Sequence, residues 1–119
     1  MIRLWTAPAR LGRAVAAAWA QLRERLRPKV RVRFTDERPQ RLRQYTLYVT
    51  SGAQGPTFGF LRCPCGCGGT LHLRFFGVRR PRWKLQTDAR RIATLTPSVW
   101  RQTGCCSHFV LRDGKIHWR

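Results

Sequence analysis

Two periodicities divide the chain. From Ala9 to Leu26 the apolar residues Leu11, Val15, Ala18, Trp19, Leu22 and Leu26 recur three or four positions apart, with Arg10, Arg13, Arg23 and Arg25 beside them. This spacing predicts an amphipathic helix. Pro28 sets its limit, because proline has no amide to donate and pushes the residue before it out of helical geometry. Such a stripe most often packs on its own domain. A basic amphipathic helix can instead lie on an anionic membrane surface or dock a partner, so residues 9–26 offer a peripheral membrane contact. They do not offer a span: the longest uncharged run, Ala14 to Leu22, is far short of the roughly 20 apolar residues a bilayer requires.

After Pro28 the period changes to two. Alternating runs over Val30 to Phe34, Tyr45 to Val49, Thr70 to Phe75, Arg82 to Thr87 and Ser107 to Leu111 predict short strands bounded by Gly, Pro or charged turns. Asp113-Gly114, set between alternating apolar residues, suits a two-residue type I′ turn leading into a last strand with Ile116 and Trp118. The expected fold class is mainly β, a small and mostly antiparallel sheet with a zinc-binding loop, preceded by an N-terminal amphipathic helix. Residues 1–29 are expected to form the basic helical unit and residues 30–119 the zinc-stabilised β-rich domain.

A chain of 119 residues is one domain with a modest core. Its charge is more unusual. Five acidic residues face 24 basic ones, leaving +19, so most of the charge must be solvated or meet an outside anion such as nucleic acid, an acidic protein face or anionic lipid. Nearly all of it is arginine, with lysine only at 29, 84 and 115. Arginine suits bidentate recognition of carboxylate or phosphate, and a GC-rich coding sequence produces the same bias.

Chemistry concentrates in two stretches. "LRCPCGCGGTLHL" places Cys63, Cys65 and Cys67 at alternate positions, and "TGCCSHFV" holds the remaining Cys105 and Cys106. Disulfides fit poorly: bridges between near neighbours are strained, the total is odd, and no secretory signal opens the chain. The reduced interior of a cell is the expected home, where clustered cysteines read as metal ligands or catalytic thiols. One catalytic thiol would leave the others unexplained, whereas zinc takes four nitrogen or sulfur ligands in a tetrahedron. Gly66, Gly68 and Gly69 can fold the backbone tightly and free amides to point at sulfur. A loop of buried free thiols is the plainer alternative. The fourth ligand can come from Cys105, Cys106 or His108.

The order of the second half carries a resemblance. A C-x-C-G-C-G cluster is followed by Trp83 and Leu85, by Leu95, Pro97, Ser98 and Val99, by Cys105, Ser107, His108, Phe109 and Leu111, and by Ile116 and Trp118. Over roughly residues 58–118 this resembles a small bacterial domain-of-unknown-function family whose pattern includes L-x-P-S-[IV] and C-x-S-H-[FY]-x-[IL]. Its members are encoded beside bacterial ubiquitin-like proteins and their conjugating enzymes. The resemblance implies a peptidase or deconjugase acting on a bacterial ubiquitin-like protein and its conjugates, in a system serving antiviral defence. Cys106 falls at the pattern's variable position, making it the spare thiol.

Hydrolysis needs a nucleophile, a base and donors for the oxyanion. His72 and His117 sit in strand patterns and read as surface or half-buried residues. His108 differs, because it shares a strand with Ser107 and Cys105. Side chains alternate across a strand, so Ser107 and His108 face apart and make a poor dyad, while Cys105 and Ser107 share a face. If Cys105 completes a zinc site with Cys63, Cys65 and Cys67, His108 is free to act as base, and Ser98 in the "TPSV" turn is the candidate nucleophile. Ser98 could equally be a turn or capping serine, and His108 could be the fourth zinc ligand. Asp88 and Asp113 are the nearest acids to orient a histidine. Catalytic zinc is disfavoured, since a site with four or five thiols is closed and no H-E-x-x-H appears. The rival reading is a zinc-binding module without chemistry, which binds nucleic acid or an acidic partner through arginines and exposed aromatics. Trp83, Trp100 and Trp118 weigh little for it, because they fall where a core would use them.

Overall fold

A computed structural model describes residues 9–119. The first element, α1 (Ala9–Leu26), covers the helical pattern from end to end. Its stripe does not pack on the domain, however. Val15, Trp19, Leu22 and Leu26 are exposed by 47%, 60%, 44% and 72%, and the side chains of Arg10 and Leu11 lie outside those described. The strands of the rest of the chain close a core among themselves, and no described residue of the helix belongs to it.

That body begins with β1 (Arg31–Phe34), β2 (Thr46–Gly52), β3 (Gly55–Arg62) and β4 (Thr70–Arg74), paired in that order. β1 runs parallel to β2 and the other pairs are antiparallel. A hairpin of β5 (Lys84–Thr87) and β6 (Ala93–Thr96) follows, then a sheet of β7 (Val99–Trp100), β8 (His108–Arg112) and β9 (Lys115–Trp118). Three sheets thus replace the expected single one. The expected strands recur within three residues of their bounds, while β3, β6 and β7 are additional. β3 escapes a reading by periodicity because Gly59 occupies a buried position in it: the Phe75 ring fills the space, and a Cβ there would lie 2.7 Å from it. β6 and β7 escape it because Pro97-Ser98 reads as a turn. It is one, but it divides two short strands that pair with different neighbours.

The sheets are tied together at Val30. Its amide donates to the Gly114 carbonyl at 2.8 Å and its carbonyl accepts from Ala93 at 3.1 Å, while Gly114 donates to Ala93 at 2.8 Å. Gly114 belongs to the Asp113-Gly114 turn, where both residues have positive φ, 50° and 75°, as a type I′ hairpin requires. A Cβ at Gly114 would meet Lys29 at 2.8 Å. The turn therefore serves both as a hairpin and as a plug between sheets. Inward-facing residues of every sheet meet in one core, with Leu47, Val49, Leu61, Leu73, Phe109 and Leu111 at or below 1% exposure. Full burial of such side chains contributes about 1.5–3 kcal/mol each, and Phe109→Ala, at the floor of β8, would cost roughly 3–5 kcal/mol.

Candidate active site and metal centre

The cysteine-rich loop between β3 and β4 is folded by its own backbone. The Cys63 amide donates to the Gly69 carbonyl at 2.9 Å, and Gly66 donates back to Cys63 at 3.2 Å. Gly66 and Gly68 take φ of 87° and 83°, a region open to glycine at little cost. Freed amides reach sulfur, from Cys67 to Cys65 Sγ at 3.3 Å and from Gly69 to Cys67 Sγ at 3.4 Å. Across the fold, Cys105 brings its Sγ to 3.7 Å from that of Cys63. The four sulfurs of Cys63, Cys65, Cys67 and Cys105 all lie within 4.8 Å of one another. A tetrahedron with metal–sulfur bonds near 2.3 Å has edges of about 3.8 Å, so these four residues fit one metal ion with no open position.

The electrostatics of the cluster favour a cation. Burial pushes the Cys63 thiol up to about 11, whereas the Ser107 hydroxyl, 3.0 Å from Cys105 Sγ, draws that thiol down to about 6. Without an ion, the buried corner keeps its proton while the exposed one ionises. A divalent cation lets all four be thiolates. Arg101 adds positive charge at the rim, its Nη1 donating to Cys67 Sγ at 3.2 Å and to Cys105 Sγ at 3.5 Å. Gly69 leaves room for it, since a Cβ there would sit 2.5 Å from the guanidinium.

Three residues beyond Cys105 the chemistry changes. The segment bends through Gly104 and Cys106, both left-handed with φ of 69° and 53°, and enters β8 at His108. Cys106 turns its thiol to the carbonyls of Gln102 and Gly104, away from the cluster. His108 faces β7 instead. Because Val99 pairs with Phe109 and Trp100 with His108, Ser98 is the diagonal neighbour of His108 on the same face. His108 Nε2 and Ser98 Oγ lie 2.9 Å apart. The Trp100 ring stacks on the imidazole at 5.1 Å with an interplanar angle of 17°. Trp83, half-buried against the core, fixes the serine from the other side by donating its indole N–H to the Ser98 carbonyl at 3.2 Å. Beside Ser98 opens a groove of about 1050 Å³, walled by Trp83, Pro97 and Trp100 and bordered by Arg80 and Arg82.

The structure thus brings Ser98 to His108 and joins Cys105 to the three loop cysteines. His108 is not among the clustered ligands, and Ser107 leans toward Cys105. Neither expected acid reaches the histidine. The Asp88 carboxylate accepts the amides of Arg90 and Ile92. Asp113 follows the far end of β8, about five residues or ~16 Å along an extended chain from His108. Among the described residues the arrangement is a pair rather than a triad. His72 and His117 are exposed, as expected. Trp100 and Trp118, expected in the core, are exposed by 57% and 50%, because each lies on an edge strand of the β7-β8-β9 sheet. Arg101 and the stacking role of Trp100 were not legible beforehand. Arg101 is one arginine among many, and nothing in "SVWRQTG" distinguishes it.

A β domain with four clustered cysteines that could hold a metal ion, and with a serine and a histidine in hydrogen-bond contact at the mouth of a groove, is the architecture these residues define. The chain belongs to the family described as "Bacterial ubiquitination-like system serine protease (BubE)", whose model matches residues 34–119. No curated protein and no solved structure matches it. The match begins after α1, and no described helix is long and apolar enough to cross a membrane.

Proposed function

We propose that this protein is a serine hydrolase that processes or removes a bacterial ubiquitin-like protein, with Ser98 as nucleophile and His108 as general base. The observation that carries this reading is the 2.9 Å contact between His108 Nε2 and Ser98 Oγ, which is the distance at which a base takes a hydroxyl proton. Ser98 Oγ attacks the scissile carbonyl carbon as Nε2 accepts its proton. The imidazolium then returns that proton to the leaving group. Water, activated by the same nitrogen, releases the acyl chain and regenerates the serine. In place of a carboxylate, the stacked face of Trp100 receives the developing positive charge of the imidazolium.

An extended tail is the substrate form the surroundings suit. β7 is the edge of its sheet. The Arg101 amide bonds inward to Ser107, so by alternation the Trp100 backbone groups face outward and can pair with an added strand. That edge opens on a cleft of about 270 Å³ lined on its far side by Thr70, Leu71 and Leu73 of β4. We assign Cys63, Cys65, Cys67 and Cys105 to a structural zinc ion, since a four-thiolate closed site is the usual donor set of that metal. When bound, it would tie the β3–β4 loop to the segment that delivers His108, with residues 30–119 as the metal-stabilised unit and residues 1–29, of which 1–8 lie outside those described, as the basic unit that holds α1. The setting is the bacterial cytoplasm.

The test is cleavage of a carboxy-terminal fusion to a ubiquitin-like protein encoded with this chain. Wild type should cleave it. Ser98→Ala and His108→Ala should not, while keeping one equivalent of zinc and the wild-type melting profile. Normal turnover by either variant refutes the dyad.

A further inference from the structure

We propose that α1 is a membrane-surface anchor whose exposed apolar stripe seats in the headgroup region of an anionic bilayer. This inference is independent of the hydrolase reading, because it uses no residue of the candidate site. Stepping about 100° per residue, Val15, Leu22, Leu26 and Trp19 fall within a sector of roughly 60°. Arg23 lies just past one margin of that sector and Arg25 past the other. All four apolar side chains are substantially exposed, and every described residue of the helix is open to solvent. The β body seals its own core without them.

Charge and geometry favour lipid over a protein groove. A narrow apolar sector suits shallow insertion of a helix lying in the interface. Trp19 stands at the margin of the sector, where an indole can sit at headgroup depth. The flanking arginines can lay their stems along the apolar boundary and keep their guanidinium groups among phosphates. Glu24 is the single acid of α1, and the chain as a whole carries +19, so attraction to an anionic leaflet needs no particular partner. Pro28 follows the helix two residues before Val30 enters the core, so binding through α1 would tether the β body to the membrane surface.

The experiment is co-sedimentation of the full chain with vesicles of phosphatidylcholine alone or with about one-third phosphatidylglycerol. Anionic vesicles should bind at least about tenfold more tightly than neutral ones. The double variant Trp19→Glu/Leu22→Glu should lose about tenfold or more of that binding, because each glutamate adds a charge to the inserted face. Its zinc content and melting temperature should match wild type, since neither position belongs to the core. Two results overturn the proposal. If the variant binds as wild type does, the basic β body alone is the contact. If wild type shows no preference for anionic vesicles, the stripe answers to something else, an acidic protein surface first.

Discussion

The cysteine cluster and the Ser98–His108 pair are three residues apart along the chain at their closest, yet they are held by opposite means. The cluster is made mostly by one loop. Three of its four sulfurs come from Cys63, Cys65 and Cys67, and amides of that loop hold two of them in place. The pair is made by strand register, since Ser98 and His108 meet only because Trp100 lies opposite His108. A site written into one loop tolerates distant disturbance, whereas a site written into register depends on whatever fixes the two strands. Here His108 follows Cys105 by three residues, so a metal ion held by the four cysteines would act as a brace for the candidate catalytic pair.

Experiments that separate the two sites should therefore give unequal results. The largest effect belongs to Ser98→Ala, which should lower turnover by about a thousandfold or more with zinc content unchanged. Removal of the metal comes next. Cys105→Ser, or a strong chelator, should release the ion, lower the melting temperature and reduce turnover by less than Ser98→Ala does, because freeing Cys105 loosens the approach of His108 to β7. Were turnover unchanged on loss of the metal, the brace would be the wrong description. Trp100→Leu sharpens the comparison from the other side. It should leave the metal bound and reduce turnover roughly tenfold, the order of a lost cation–π contact, by raising the cost of the imidazolium rather than by weakening substrate binding.

Arg101 bears on the boundary between the two sites, with the smallest expected effect. Arg101→Met should weaken metal retention about tenfold in chelator competition, the scale of a lost outer hydrogen bond to a ligand. Gly69→Ala should do the same, since its Cβ would occupy the place of the guanidinium and drive the flexible side chain away. If Gly69→Ala weakens the metal and Arg101→Met does not, the loop backbone rather than the arginine is what matters.

The sequence by itself determined the elements whose causes are local. The 3.6-residue pattern and Pro28 delimit α1, period-two runs mark most of the strands, Asp113-Gly114 specifies its turn, and the alternate cysteines with their glycines specify a loop that gathers three sulfurs. Alternation separated Ser107 from His108, but it did not place Cys105, which lies in a turn before β8 with Cys106 at φ 53°. Tertiary structure decided the rest. Gly59 concealed β3 until Phe75 supplied the missing side-chain volume. Pro97-Ser98 resembled an ordinary turn until the register of β7 against β8 brought Ser98 to His108. The α1 stripe was expected to pack on the domain and is open instead, since a periodicity records which face is apolar and nothing about what meets it. The pairing of Ser98 with His108 and the reach of Arg101 to sulfur arise from contacts between segments, and those depend on how the whole core closes.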